Sequence, residues 1–424
     1  MRRRSPRHPA GEPGAGRAAG EGETGMSRKC PSCGGTAWEP FYESRSGRLL
    51  TGDQRIAPGH LAKIVCASCG VVANARALSD DELRELYGEA YQLNTYGREE
   101  HLFYTADGPV PRSKVIFDWL ATLLPGDATT IVEIGCGEGN VLRRFQEAGP
   151  DLQVVGFEGS QHAAGLARAK GLDVRNDLIL SSDQSLPTAD FLFSYNVLEH
   201  VEDLDAFLSV LKRACRPGGR IIFGLPIQDE GGYDLFFAEH VWHFSIGHVA
   251  RVLRRHGLSI EEVKSHHPVN RGAALFACRV AESVAEPENG SEFAGWRKMQ
   301  FANRDYWLGI FARVDDLLTQ ASGHSLAVYG SAEVLSLLMC HTALGEANIV
   351  MCLDEDPNKI GTIKHGIPVH HPDVLKGSPV DAVLLTVNAR YNDQIRAKLA
   401  PAGIAVLSCF SETGTQAGLP PTVE

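Results

Sequence analysis

From residue 113 onward, short continuous apolar runs alternate with longer stretches of helical periodicity. Thr130-Ile131-Val132-Glu133-Ile134 is one such run, and it ends in glycines. Val154-Val155-Gly156-Phe157, Phe191-Leu192-Phe193-Ser194 and Arg220-Ile221-Ile222-Phe223-Gly224 are others, and residues 116–124 read as an amphipathic helix. Short apolar runs bounded by turn residues predict buried strands, and their alternation with helices predicts a parallel sheet covered on both faces. Residues 260–263 and 273–280 have no helix between them, so they predict an antiparallel hairpin at the sheet edge. Residues 287–320 read as a helical connector with Trp296, Phe301, Trp307, Ile310 and Phe311 as apolar contacts. A second, smaller alternating unit follows, with strands predicted at 326–329, 349–353 and 382–386.

The N-terminal part differs. Residues 1–29 hold Arg2, Arg3, Arg4, Arg7 and Arg17 among Gly, Pro, Ala and Glu, without an apolar segment. This composition predicts a disordered tail and no secretory signal; Met26 is an alternative start. Asp80-Asp81-Glu82 opens a helix with acidic residues at its positive end. Tyr87, Tyr91, Tyr96 and Tyr104 follow, and either line a substrate entrance or pack this part onto the next domain. The expected α/β organisation is a tail (1–29), a zinc-binding module (30–90), a central Rossmann-like domain (91–285), a helical connector (286–320) and a smaller Rossmann-like C-terminal domain (321–424).

Bulk properties narrow the partners. The hydrophobic fraction of 43% and charged fraction of 22% are those of a globular protein, and the net charge of −11 argues against nucleic acid as the main partner. No run approaches the roughly 18 apolar residues that span a bilayer. With no targeting signal, the expected location is the cytoplasm, where paired cysteines bind metal more often than they form disulfides. Cys30-Pro-Ser-Cys33 and Cys66-Ala-Ser-Cys69 are two such pairs among ten cysteines. Each supplies two thiolates from one tight turn, with Gly34, Gly35 and Gly70 following, and together they predict a closed, structural four-sulfur Zn2+ site. A redox pair is the alternative.

The first central run leads into Glu133-Ile-Gly135-Cys136-Gly137-Glu138-Gly139-Asn140. Closely spaced glycines let the backbone lie against a ligand, and the helix behind them offers free N–H groups. Glu158 ends the second run, where a carboxylate can accept from ribose hydroxyls. Asp177 follows a third strand pattern, Asp173-Val174-Arg175, where it can meet an adenine amine. Asn196-Val-Leu-Glu199-His200 follows the fourth, and Arg216-Pro217-Gly218-Gly219 predicts a tight turn into the fifth. A dinucleotide-binding domain would show G-x-G-x-x-G instead and would leave the Pro-Gly-Gly turn unexplained.

This ordered set resembles the class I S-adenosylmethionine-dependent methyltransferases. The resemblance implies that Glu133, Gly135, Gly137, Gly139, Glu158, Asp177 and Asn196 bind S-adenosyl-L-methionine. Over residues 30 to 410 the domain order also resembles the zinc-containing sugar C-methyltransferases of deoxysugar biosynthesis. Phe237-Ala238-Glu239-His240 aligns with that family's Tyr-His-Glu-His segment, and Pro268-Val269-Asn270-Arg271-Gly272-Ala273 with its His-Gly-Gly-Ser stretch. The family's Trp-Asn pair is Val387-Asn388 here. The resemblance implies that His240 removes a proton next to a keto group, while Glu239 and His200 position or polarise the sugar and its developing enolate. It further implies a small-molecule acceptor such as a dTDP-linked keto sugar, whose nucleotide the C-terminal domain helps to cover. Phe237, Ala238, Asn270 and Ala273 depart from the family on the acceptor side, where His243 is a candidate substitute contact. Two alternatives stay open, an O- or N-methyltransferase on the same frame and a non-catalytic protein that keeps the cofactor pocket. The oligomeric state is not legible.

Overall fold

The computed structural model describes residues 28–88, 98–105, 108–281, 292–376, 380–410. Almost all of the expected tail, together with Tyr91 and Tyr96, lies outside them. Among the described residues no helix is long and apolar enough to cross a membrane.

The N-terminal module is a sheet of β1 (Trp38–Glu43), β2 (Ala62–Cys66) and β3 (Val72–Asn74), with a short hairpin, Arg48–Leu50 against Ile56–Pro58, beside it. α1 (Asp80–Tyr87) follows. Its start is fixed as the acidic run predicts: Ser79 and Glu82 form a reciprocal capping box.

The central domain opens with α2 (Arg112–Ala121). This helix starts and stops earlier than its apolar pattern predicts. Glu100 Oε2 accepts from the Ser113 N–H at 2.8 Å, so a distant carboxylate satisfies the helix N-terminus. Then come β4 (Thr130–Ile134), α3 (Asn140–Ala148), β5 (Gln153–Glu158), α4 (Gln161–Ala169), β6 (Asp173–Asn176), β7 (Ala189–Tyr195), α5 (Leu204–Ala214) and β8 (Cys215–Pro226). After β8 lie β9 (Trp242–His243), α6 (Ile246–Arg255), β10 (Leu258–Lys264) and β11 (Ala273–Val280). The seven-stranded sheet has the order β6-β5-β4-β7-β8-β11-β10; its first five strands are mutually parallel, and β11 pairs antiparallel with both neighbours. The hairpin reading is therefore met at the sheet edge. The Arg216–Gly219 run, by contrast, is a bulge inside β8 rather than a turn before it. Pairing to β7 jumps from Ala189↔Cys215 to Phe191↔Arg220. Gly218 takes φ +82°, and a Cβ on Gly219 would lie 2.9 Å from the Asp190 carbonyl.

α7 (Glu292–Gln320) buries Trp307, Ile310 and Phe311 and leads to β12 (Leu326–Tyr329), α8 (Glu333–His341), β13 (Ile349–Leu353), β14 (Ile363–Lys364), β15 (Ile367–His370), β16 (Ala382–Leu385), α9 (Asn392–Leu399) and β17 (Ala405–Ser408). These strands form a six-stranded sheet ordered β14-β15-β13-β12-β16-β17.

The three parts interlock. β9 pairs antiparallel with β3, so the N-terminal sheet, ordered β1-β2-β3-β9, takes its fourth strand from the central domain. One apolar cluster joins Phe41, Leu50 and Val72 of the N-terminal module to Phe236, Phe237, Trp307 and residues of the C-terminal sheet.

Candidate active site

A cavity of about 1300 Å³ runs from the carboxyl ends of β4, β5 and β7 to the C-terminal domain. At its first end are Glu133, Gly135, Gly137, Glu158, Asp177 and Asn196. Gly135, Gly137 and Gly139 all have positive φ, at 72°, 55° and 74°. Their surroundings divide their roles. Gly137 has nothing within 4 Å of an added Cβ, so its bare backbone faces open cavity. A Cβ on Gly139 would lie 2.4 Å from Leu172 Cδ1; this glycine packs α3 onto its neighbours and does not line the cavity.

Glu158 accepts from the N–H groups of Gly137 (2.7 Å) and Ser160 (2.8 Å), one on each oxygen. A carboxylate has about four acceptor sites, so capacity for ribose hydroxyls remains. Burial pushes its carboxyl up, against those same hydrogen bonds. Glu133 is buried with Oε2 unpartnered among the described residues, and burial and then Glu158 push its carboxyl well above the usual range. A buried orphan acceptor beside bare glycine backbone fits a cationic, amino-bearing cofactor. Asn196 closes β7 at φ +55°. Asp177 is exposed at the rim, accepting from Gln184 at 3.2 Å.

Midway along the cavity stand His200, Asp234, Phe237 and His240. The His200 and His240 rings are 4.6 Å apart. His240 Nδ1 is buried, and Asp234 Oδ2 lies 3.5 Å from it. Nε2 is therefore the nitrogen left to the cavity. Burial opposes the imidazolium, but Asp234, Glu199 and Glu239 outweigh it and hold His240 above its usual value. Burial also opposes the Asp234 anion, yet His240 and His243 hold its carboxyl well below the carboxylate range. His200 Nδ1 meets Tyr87 Oη at 2.9 Å and the Glu239 carbonyl at 3.1 Å, and burial followed by the neighbouring His240 pushes it well down.

Two expected site residues sit behind the wall. Glu239 does not line the cavity: it is 1% exposed, and Oε1 accepts from the Gly52 N–H of the N-terminal hairpin. Its side chain points into the module interface and away from the cavity. His243 does not replace a lost acceptor contact either; it is wholly buried, with Nδ1 3.1 Å from Asp234. Tyr87 does line the cavity, one of the two readings open for the tyrosines, and brings a phenol beside His200 where Phe237 has none.

Sequence reasoning named Glu199 beside His200 as a candidate base and Asp234 within the segment after the fifth strand, and passed over Lys63. Glu199 is 1% exposed with neither oxygen hydrogen-bonded among the described residues, and burial, against His240, pushes its carboxyl up to about 7. Asp234 was legible only as part of a polar segment. Lys63 carries no local signal. At the far end, Tyr233 Oη donates to Glu333 Oε2 at 2.5 Å, and Asn388 and Tyr391 line the wall. Asp354, which follows β13, is occupied by Ser331 and Lys359.

Cys30, Cys33, Cys66 and Cys69 converge. Cys30 Sγ–Cys69 Sγ and Cys33 Sγ–Cys66 Sγ are both 3.5 Å, and all four sulfurs lie within 4.8 Å of one another. Gly34 and Gly70 have φ +75° and +88°, the left-handed turns expected after each pair.

Residues 111–263 match the model of a family described as a methyltransferase domain. This central domain marks the protein as an enzyme that transfers methyl groups from S-adenosylmethionine. This methyltransferase is 24% identical to the C-methyltransferase NovU of Streptomyces niveus over 84% of its own chain and 89% of the relative's. It is 29% identical to the malonyl-[acyl-carrier protein] O-methyltransferase of Hahella chejuensis, but over 29% of its own chain and 45% of that relative's. Among solved structures, the mitomycin 7-O-methyltransferase MmcR aligns at TM-score 0.34 and 20% identity, over 40% of this chain and 54% of that one.

Proposed function

We propose that this methyltransferase C-methylates a nucleotide-linked keto-deoxysugar, with His240 as the base. The observation that carries the reading is His240 itself: an imidazole on the cavity wall, backed by a carboxylate, beside the cofactor end. The likeness to a C-methyltransferase along most of both chains supports it, whereas likeness to the O-methyltransferase is confined to less than a third of this chain.

S-adenosylmethionine supplies an electrophilic methyl on a sulfonium. His240 Nε2 takes the proton from the carbon next to the ketone, and the C–H electron pair becomes the enolate. Asp234 stabilises the imidazolium as it forms. Bound S-adenosylmethionine would give its methyl to the enolate carbon, one C–C bond forming as one C–S bond breaks with its electron pair kept by the thioether, and His240 returns its proton to solvent. His200 and Tyr87 flank the position where the enolate oxygen's charge develops. Glu133, Gly137, Glu158, Asp177 and Asn196 hold the cofactor. The four cysteines hold a structural zinc, which closes the N-terminal module and takes no part in the chemistry.

The test incubates the protein with labelled S-adenosylmethionine and a panel of dTDP-linked keto sugars in deuterated solvent. Carbon-bound methyl with solvent exchange at the same carbon is expected. Methyl on oxygen without exchange favours an O-methyltransferase and overturns the enolate; binding of cofactor without turnover on any acceptor overturns catalysis. His240→Ala is expected to slow turnover by roughly 10²–10⁴-fold, the range of general-base contributions.

A further inference from the structure

Lys63 lies on β2 of the N-terminal module and is 1% exposed. Its Nζ reaches the carbonyls of Phe237 (3.0 Å) and His240 (2.8 Å) and the Nε2 of His243 (2.9 Å). Burial pushes Lys63 down to about 7, against Asp234 and Glu239; below that pH it is an ammonium, with three hydrogens and no lone pair. The three contacts therefore use all of them and require a bare lone pair on His243 Nε2. The other side of that ring favours the same pattern without enforcing it alone. Asp234, as an anion, only accepts, so with Nε2 engaged by Lys63 the His243 hydrogen sits on Nδ1, 3.1 Å from Oδ2. The same oxygen faces His240 Nδ1. A hydrogen there leaves the Nε2 lone pair to the cavity.

We propose that Lys63 is a positioning residue which, through His243 and Asp234, fixes the tautomer of His240 so that Nε2 is the proton acceptor. This rests on reading His240 as the base. The two carbonyls held by Lys63 also fix the loop that carries His240. Asp234, His240 and His243 bring three metal-capable atoms within 4.8 Å of one another. In this pattern, however, His243 spends one nitrogen on Lys63 and the other on Asp234, which leaves no lone pair for a metal. The other titratable groups around His240 include Glu199, Glu239, Glu333 and His200.

The test uses the full-length, zinc-loaded chain with 15N-labelled histidines. Long-range proton–nitrogen spectra are recorded as pH rises until the His240 imidazolium has lost its proton. In the wild type, His240 and His243 should both settle as single Nδ1–H tautomers. Lys63→Met should turn His243, and with it His240, into tautomer mixtures. If Lys63→Met does not fold, His243→Gln should preserve the His240 tautomer, because an amide can accept from Lys63 and donate to Asp234; His243→Leu should lose it. A wild-type His240 or His243 in the Nε2–H form overturns the proposal, as does an unchanged His240 in Lys63→Met or in His243→Leu. The spectra need no acceptor. Correct tautomers without keto-sugar methylation would sink the acceptor reading alone, and keto-sugar methylation with an Nε2–H His240 would sink the relay alone.

Discussion

At the scale of single residues, the site sets charge against burial. His240 is buried, which alone would favour neutral imidazole, but the charges of Asp234, Glu199 and Glu239 outweigh that and hold its pKa above 6.5. A base works only when deprotonated, so the acid limb of the kcat profile is expected above pH 6.5, with activity rising as pH rises through it. Glu199, pushed up to about 7 by burial against His240, titrates in the same region, and the limb belongs to the coupled pair rather than to one residue. Asp234→Asn removes the anion that favours the imidazolium. The limb should then move to lower pH by about 1–3 units, the usual effect of losing an opposite charge at contact distance, while the maximal rate falls because the imidazolium loses its support. A pH–rate series on both proteins decides it; a limb that stays in place removes Asp234 from the base's environment.

At the scale of elements, the cofactor end is built from local geometry. The turn from β4 into α3 needs left-handed backbone at Gly137, and the space beyond it is cavity. A side chain there costs about 1–2 kcal/mol in backbone strain and also enters the ligand's space. Gly137→Val should therefore raise the S-adenosylmethionine Kd about tenfold or more, a factor of ten being 1.4 kcal/mol. Gly165→Ala, at an open position within α4, should leave that Kd unchanged; calorimetry measures both. This half of the site was legible because its signals sit within a few residues of one another. A glycine spacing, a strand-ending carboxylate and a helix start all follow from local sterics. The rest was not legible. Lys63 meets the His240 carbonyl across 177 positions, and Glu239 meets Gly52 across 187. Those contacts exist only once β9 has joined β3, and no periodicity announces a pairing between strands two and three residues long. For the same reason Glu239, which the motif placed against the acceptor, turns inward to the hairpin.

At the scale of the whole molecule, the cysteine cluster lies at the base of the part that builds the acceptor side. β2 carries Lys63 and ends in Cys66, and the Cys69 carbonyl meets His248 Nε2 of the central domain at 2.9 Å. The same module reaches the C-terminal domain: Tyr42 Oη lies 2.9 Å from His341 Nδ1, and Arg48 donates to the Thr342 carbonyl at 3.0 Å. The cofactor loop, in contrast, is held by β4, β5 and α3 of the central domain. Loss of zinc should therefore separate two properties that a general unfolding would lose together. One zinc per chain is expected by elemental analysis. Removing it with a chelator, or substituting Cys66→Ser, should lower Tm, because a structural zinc contributes folding energy outright. It should also lower kcat by about 10²-fold, the cost of misplacing a reacting group by 1 Å, while the S-adenosylmethionine Kd changes much less. Thermal denaturation, turnover and calorimetry on the same preparations separate the cases. Cofactor affinity lost in step with turnover would mean that the module supports the central domain as a whole, and not the acceptor wall in particular.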